Sequence, residues 1–213
     1  MEAREVLYTA RSMRRLRPDP VPEEVVARIV DAGLRAPCPG EEQPWRFVVV
    51  TERPTMARLG TLWRRTRDAL LVDMPNLYPN EAQASSSRYL HDHFDDVPVA
   101  IFGYGPEGGG AATVVPALWS MCLAARAEGV GATFTQLLSR VQPEVDEILG
   151  LPADAAVRLF GVLPMGYPLG RWGVARRRPA SEVAFAERWG SAPAWGPVVP
   201  PGVGGDRPAG ATA

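Results

Sequence analysis

From residue 117 to residue 128 the chain carries few polar side chains on any side. A helix of that composition has no face to offer to water, so other elements must wrap it. The fold is therefore built around this segment, and Gly129 is placed to cap its end. Short β-rich runs at 45–50, 97–102, 130–135 and 157–163 predict four strands. Helices are predicted over 2–10, from Pro22 along the apolar face of Val25, Val26, Ile29, Val30 and Leu34, and over 56–72, 83–94 and 143–149. Gly150 stops the last of these, and a further short helix is expected within 176–189. The pattern implies one α+β domain over 1–190. Residues 191–213, almost only Gly, Pro, Ala and Val, read as a disordered or extended tail.

The chain has 213 residues, enough for a sizeable core, and a net charge of −1. That balance offers no global attraction for nucleic acid or anionic membrane, so neither is expected as a partner. All 23 basic residues are Arg. A lysine-based covalent or general-base mechanism is therefore excluded, and each fixed cation is a planar fork suited to phosphate. Cys38 and Cys122 form no metal-binding or disulfide pattern. No signal core is seen near the start and no apolar run is expected to reach membrane-spanning length, which predicts a cytoplasmic protein.

Arginines cluster near both ends: Arg11, Arg14 and Arg15, then Arg176, Arg177 and Arg178, each beside a proline-bounded loop. Such groups bind a phosphate dianion by charge-assisted bidentate bonds. Each cluster alone equally fits a solvated face with scattered ion pairs. Their sequence context is more specific. Arg11-Ser12-x-Arg14-Arg15 precedes Asp19-Pro20-Val21-Pro22, then Arg35-Ala36-Pro37 leading to Gln43-Pro44-Trp45-Arg46-Phe47. Much later come residues 123–131, Leu149-Gly150-Leu151-Pro152, and Pro164-Met165-Gly166-Tyr167-Pro168 before the Arg triplet.

This succession, from about residue 7 to residue 189, resembles the nitroreductase-like family of FMN proteins. The resemblance implies an α+β fold with a mixed central sheet flanked by helices, assembled as a domain-swapped homodimer with FMN between the subunits. It implies that Arg11 and Ser12 meet the phosphate and ribityl chain, that Met13 is also among the cofactor-binding residues, and that Arg14 stands at the pyrimidine edge of the flavin. There a fixed cation would stabilise the reduced ring and raise its potential. Arg176 or Arg177 would complete the phosphate clamp. The loop carrying Pro37, Cys38 and Gln43 resembles the one a partner subunit lays over the flavin, with Cys38, Pro39 and Glu41 where the family commonly has small polar residues and an Asn. Glu41 is expected to point away. Backbone groups of Thr133, Phe134 and Thr135 would approach the flavin N5 side, with Phe134 in the substrate pocket.

The implied activity is electron transfer from NADH or NADPH through FMN to an electron-poor small molecule such as a nitroaromatic, quinone or conjugated carbonyl. No side chain needs to act as catalytic acid or base. Two alternatives stay open: oxidative tailoring of a metabolite, or flavin binding without turnover. Other signals have plainer readings. His91-Asp92-His93 is expected to be an exposed polar helix end, residues 103–110 a flexible glycine-rich loop, and Trp45, Trp63 and Trp119 core aromatics more than pocket walls.

Overall fold

The run Val99-Ala100-Ile101-Phe102 has no polar face, and the chain places it in the middle of a sheet, where all four residues are fully buried. The computed structural model describes residues 1–196 and 198. Strands β1 (Arg46–Val50), β2 (Val99–Gly105), β3 (Gly131–Ala132) and β4 (Arg158–Gly166) form one sheet in the order β1-β2-β4-β3. The helices are α1 (Ala3–Thr9), α2 (Glu23–Gly33), α3 (Arg53–Asp73), α4 (Glu81–Asp92), α5 (Gly110–Ala127) and α6 (Gln142–Leu149).

The expected mixed sheet is corrected: every strand pairing among the described residues is antiparallel. Strands β2 and β3 are each antiparallel to β4 and so run the same way, but β4 lies between them. Parallel neighbours therefore never arise. Only Gly131–Ala132 of the predicted strand 130–135 is regular, although Thr135 returns to β4 through a bridge to Val162.

Helix α5 is the wrapped element, with Val114, Ala117, Leu118, Met121 and Ala125 all fully buried. It begins seven residues before the expected start and contains Pro116. Proline strips one intrahelical bond, and the helix nevertheless runs on through it, with Thr113 and Val114 buried on the preceding turn. Contrary to expectation, α5 is long and apolar enough by composition to cross a membrane, yet it packs as a core helix against α2, β2 and β4. The predicted loop 103–110 shortens to 106–109, between β2 and α5. Gly103 and Gly105 lie inside β2, where an added Cβ would stand 2.9 Å from Leu118 and 2.7 Å from Val114 respectively. These glycines permit close strand–helix packing instead of loop flexibility. Gly129 and Gly150 follow α5 and α6 with φ of +76° and +71°, the left-handed caps read from sequence.

Residues Arg11–Arg171 form one compact unit. A second unit contains Met1–Ala10 and the described residues from Trp172 onward. Within it the Ala175 amide donates to Tyr8 O at 3.2 Å, and the expected helix in 176–189 reduces to a single 3-10 turn, Ala180–Glu182. Much of the predicted tail, 191–213, lies outside the described residues.

Candidate active site

The basic segment 11–17 is not the loose loop its prolines suggest, because main-chain bonds lace it on two sides. The Met13 amide donates to Ala132 O at 3.0 Å, and the Thr133 hydroxyl donates to Met13 O at 3.0 Å. Arg17 N donates to Tyr167 O, Leu169 N donates to Arg15 O, and Leu16 bridges Pro168. The late motif 164–168 is thus the edge against which the early motif is held. Gly131 allows the approach, since a Cβ there would lie 2.9 Å from the Met13 Cβ. Met13 and Leu16 are buried, while Arg11, Ser12 and Arg15 remain exposed. Arg15 is held at α4, where its guanidinium donates to Ser85 Oγ and stands 5.5 Å from the Tyr89 ring.

Two cavities meet at this segment. A smaller one of about 300 Å³ is lined by Arg11, Ser12, Met13 and Arg14 together with α4. A larger one of about 710 Å³ has Arg14, Thr133, Phe134 and Thr135 in its wall, with α3 and α4 opposite. Arg14 borders both. It has no ion pair or hydrogen bond from its side chain among the described residues, and burial lowers its guanidinium below the ordinary arginine value, with Tyr78 opposing. A partly buried cation without an anion is costly unless a ligand supplies one.

The amides of Thr133 and Thr135 donate to Pro164 O and Val162 O, so they are engaged by β4. The Phe134 amide has no acceptor among the described residues, which singles it out of the three as the main-chain donor left for a ligand. The Phe134 ring rests over Gly161, where a Cβ would come within 2.5 Å of it.

Pro37, Cys38 and Gln43 line neither cavity of their own chain. Cys38 packs at the edge of the core, and Gln43 adopts φ +43°, an uncommon left-handed conformation for a side-chain-bearing residue. Glu41 is exposed and also lines neither cavity. Arg176 and Arg177 belong to the second compact unit, exposed, with Arg177 Nη1 donating to Arg176 O at 2.9 Å. Asp92 and His93 form the expected exposed end of α4, whereas the His91 side chain is 17% accessible, with Nε2 3.0 Å from Asp68 and Nδ1 2.7 Å from Asp92. Of the tryptophans, Trp45 is core, Trp63 borders the larger cavity and Trp119 is 48% exposed on α5.

Sequence reasoning missed Arg67, Tyr78, Arg140 and Arg158, all in the wall of the larger cavity. One signal was present. Arg67 sits four residues after Trp63 and three before Leu70, on the apolar stripe of α3 that begins at Met56 and Leu59. An arginine at such a position is buried without being core.

The model of the nitroreductase family matches residues 7–167. The chain belongs to that family. As a nitroreductase-family member it is an oxidoreductase, and its relatives carry different names. It is 28% identical over 181 residues to a protein of Methanothermobacter thermautotrophicus described as an NADH dehydrogenase/NAD(P)H nitroreductase, covering 79% of this chain and 78% of that one. It is 31% identical over 194 residues to the 5,6-dimethylbenzimidazole synthase of Rhodospirillum rubrum, covering 79% and 87%. Its fold matches a nitroreductase of Desulfovibrio desulfuricans in complex with FMN, with a TM-score of 0.68 and 22% identity over 89% of this chain and 98% of that one. This nitroreductase-family chain thus has the family's fold, with Arg14 at the junction of its two cavities.

Proposed function

We propose that this chain is an FMN-dependent oxidoreductase that accepts electrons from NADH or NADPH and delivers them to an electron-poor small molecule, acting as a cytoplasmic homodimer. The observation that carries the reading is Arg14: a partly buried guanidinium bordering both cavities, without a counter-ion among the described residues. The fold match to an FMN complex supports the choice of cofactor. When bound, FMN supplies the two-electron chemistry. The residues present fit it. Arg11 and Ser12 would hold the phosphate and ribityl chain from the smaller cavity, where they are exposed beside Met13, whose main chain is anchored on both sides. Arg14 would neutralise negative charge at the pyrimidine edge, and the unengaged Phe134 amide would donate to the ring. Arg176 or Arg177 would add to the phosphate clamp, and Pro37, Cys38 and Gln43 would cover the flavin bound by the partner subunit.

Nitroaromatics, quinones and conjugated carbonyls are the acceptors to try, because the redox chemistry is supplied by the cofactor and each of them takes up an electron pair readily. The 31% identity to a 5,6-dimethylbenzimidazole synthase favours a second reading, in which the same site tailors a metabolite oxidatively.

The test is the purified full-length protein. It should be yellow and retain about one FMN per chain, and both NADH and NADPH should be screened as reductants under anaerobic conditions. Arg14→Met should lower the flavin reduction potential while the protein stays folded. A colourless protein that takes up no added FMN overturns the reading.

A further inference from the structure

Among the described residues, the wall of the larger cavity contains four arginines, Arg14, Arg67, Arg140 and Arg158, and no aspartate or glutamate. Arg67 is the decisive one. It is 7% exposed, far from the solvation a guanidinium normally keeps, and its nearest carboxylate is Asp68 at 3.7 Å. Asp68 is itself 63% exposed, so water screens that single carboxylate contact. Its short-range partners besides Asp68 are neutral, Nε donating to Ser87 Oγ at 3.3 Å and the guanidinium carbon lying 5.9 Å from the Tyr78 ring, while the exposed Asp92 feels its charge from further off. Two further polar groups of the same wall lack partners among the described residues, the Trp63 indole N–H and the Ser139 hydroxyl, both buried. This wall is rich in donors and poor in acceptors, against the rule that buried polar groups are satisfied and buried charges paired.

We propose that this cavity selects an anionic substrate, an aromatic or conjugated carboxylate, with Arg67 binding the carboxylate and Tyr78 and Phe134 bordering the π-system. The inference rests on the flavin reading, in which Arg14 serves the cofactor and Arg67, on α3, is left for the second molecule. Arg67 is 7% exposed and shares that wall with Trp63, Leu70 and Leu90, so a carboxylate reaching it is desolvated and its charge-assisted bonds are strong.

The probes are 4-nitrobenzoate and 4-nitrobenzamide, equal in size and different in charge. The amide is the more electron-poor, so reactivity alone favours it, and any preference for the carboxylate reports recognition. With the holoenzyme, kcat/KM for 4-nitrobenzoate should exceed that for the amide by about 10- to 100-fold, the worth of hydrogen bonds to a charged group. Arg67→Met should abolish the preference through KM, and Arg67→Lys should restore part of it. Equal rates for the two probes, or a faster amide, overturn the proposal while leaving the flavin reading intact.

Two arms separate the remaining outcomes. Calorimetric titration of the wild-type protein as isolated should show 4-nitrobenzoate binding at least about tenfold tighter than the amide. That comparison needs neither turnover nor a folded variant, and it still decides the matter if the protein holds no flavin. Titration of FMN into flavin-free Arg67→Met should give an affinity close to wild type. A loss of FMN affinity equal to the loss for 4-nitrobenzoate would assign Arg67 to the flavin phosphate and overturn the substrate role.

Discussion

The hydroxyl of Thr133 donates to the carbonyl of Met13 at 3.0 Å, joining residues 120 positions apart at the border of both cavities. Thr133→Val keeps the shape and removes the donor, leaving a buried carbonyl without that bond. The expected cost is about 1–3 kcal/mol in urea unfolding. FMN affinity should fall as well, since Ser12 and Arg14 flank the released carbonyl. A valine variant with unchanged stability would show that the main-chain bonds to Ala132, Tyr167 and Leu169 suffice to hold the segment.

Gly161 of β4 lies beneath the Phe134 ring. Gly161→Ala would place a Cβ 2.5 Å from Phe134 Cε2 and 3.1 Å from Leu118 Cδ1. Leu118 is fixed in the core, so the ring must yield. Overpacking of this kind costs about 1–3 kcal/mol. The expected signature is a shifted absorbance of bound flavin with a changed KM for the acceptor, measured beside thermal stability.

Burial pushes the Cys122 thiol from its ordinary 9.0 up to about 12. The folded state therefore binds the proton more tightly than the unfolded chain. Stability from this group is complete below about pH 9 and is lost as pH rises towards about 12. Urea midpoints at pH 8 and pH 10 should fall more steeply for wild type than for Cys122→Ala. At pH 8 Cys122 should resist thiol reagents until the protein is denatured.

Gly150 offers a control away from the cavities. Its φ of +71° ends α6, and the Leu151 amide donates to Asp146 O across it at 2.9 Å. No atom would crowd a Cβ there, so Gly150→Ala tests backbone strain alone. A loss of about 1 kcal/mol is expected in unfolding, with flavin content unchanged.

Helix periodicity, glycine caps and proline starts were legible because they are local. The centres of α2 to α6 and both caps follow from them. What was not legible depends on distant partners. Gly103 and Gly105 look like loop residues until Val114 and Leu118 of α5 are placed against them. The sheet could not be read as wholly antiparallel before β4 was known to separate β2 from β3. The segment 11–17 became ordered only through its bonds to 132–133 and 167–169. Arg14 stood out through its motif, whereas Arg67 belongs to no motif and is exposed as unusual only by its burial.

Because main-chain groups of residues 13, 15 and 17 hold the basic segment, its backbone course does not depend on the side chains at 12 and 14, which make no hydrogen bond among the described residues. Those positions are therefore open to exchange at little cost to folding. A lineage built on this scaffold could trade one ligand preference for another by single substitutions there, without first acquiring compensating changes in the core.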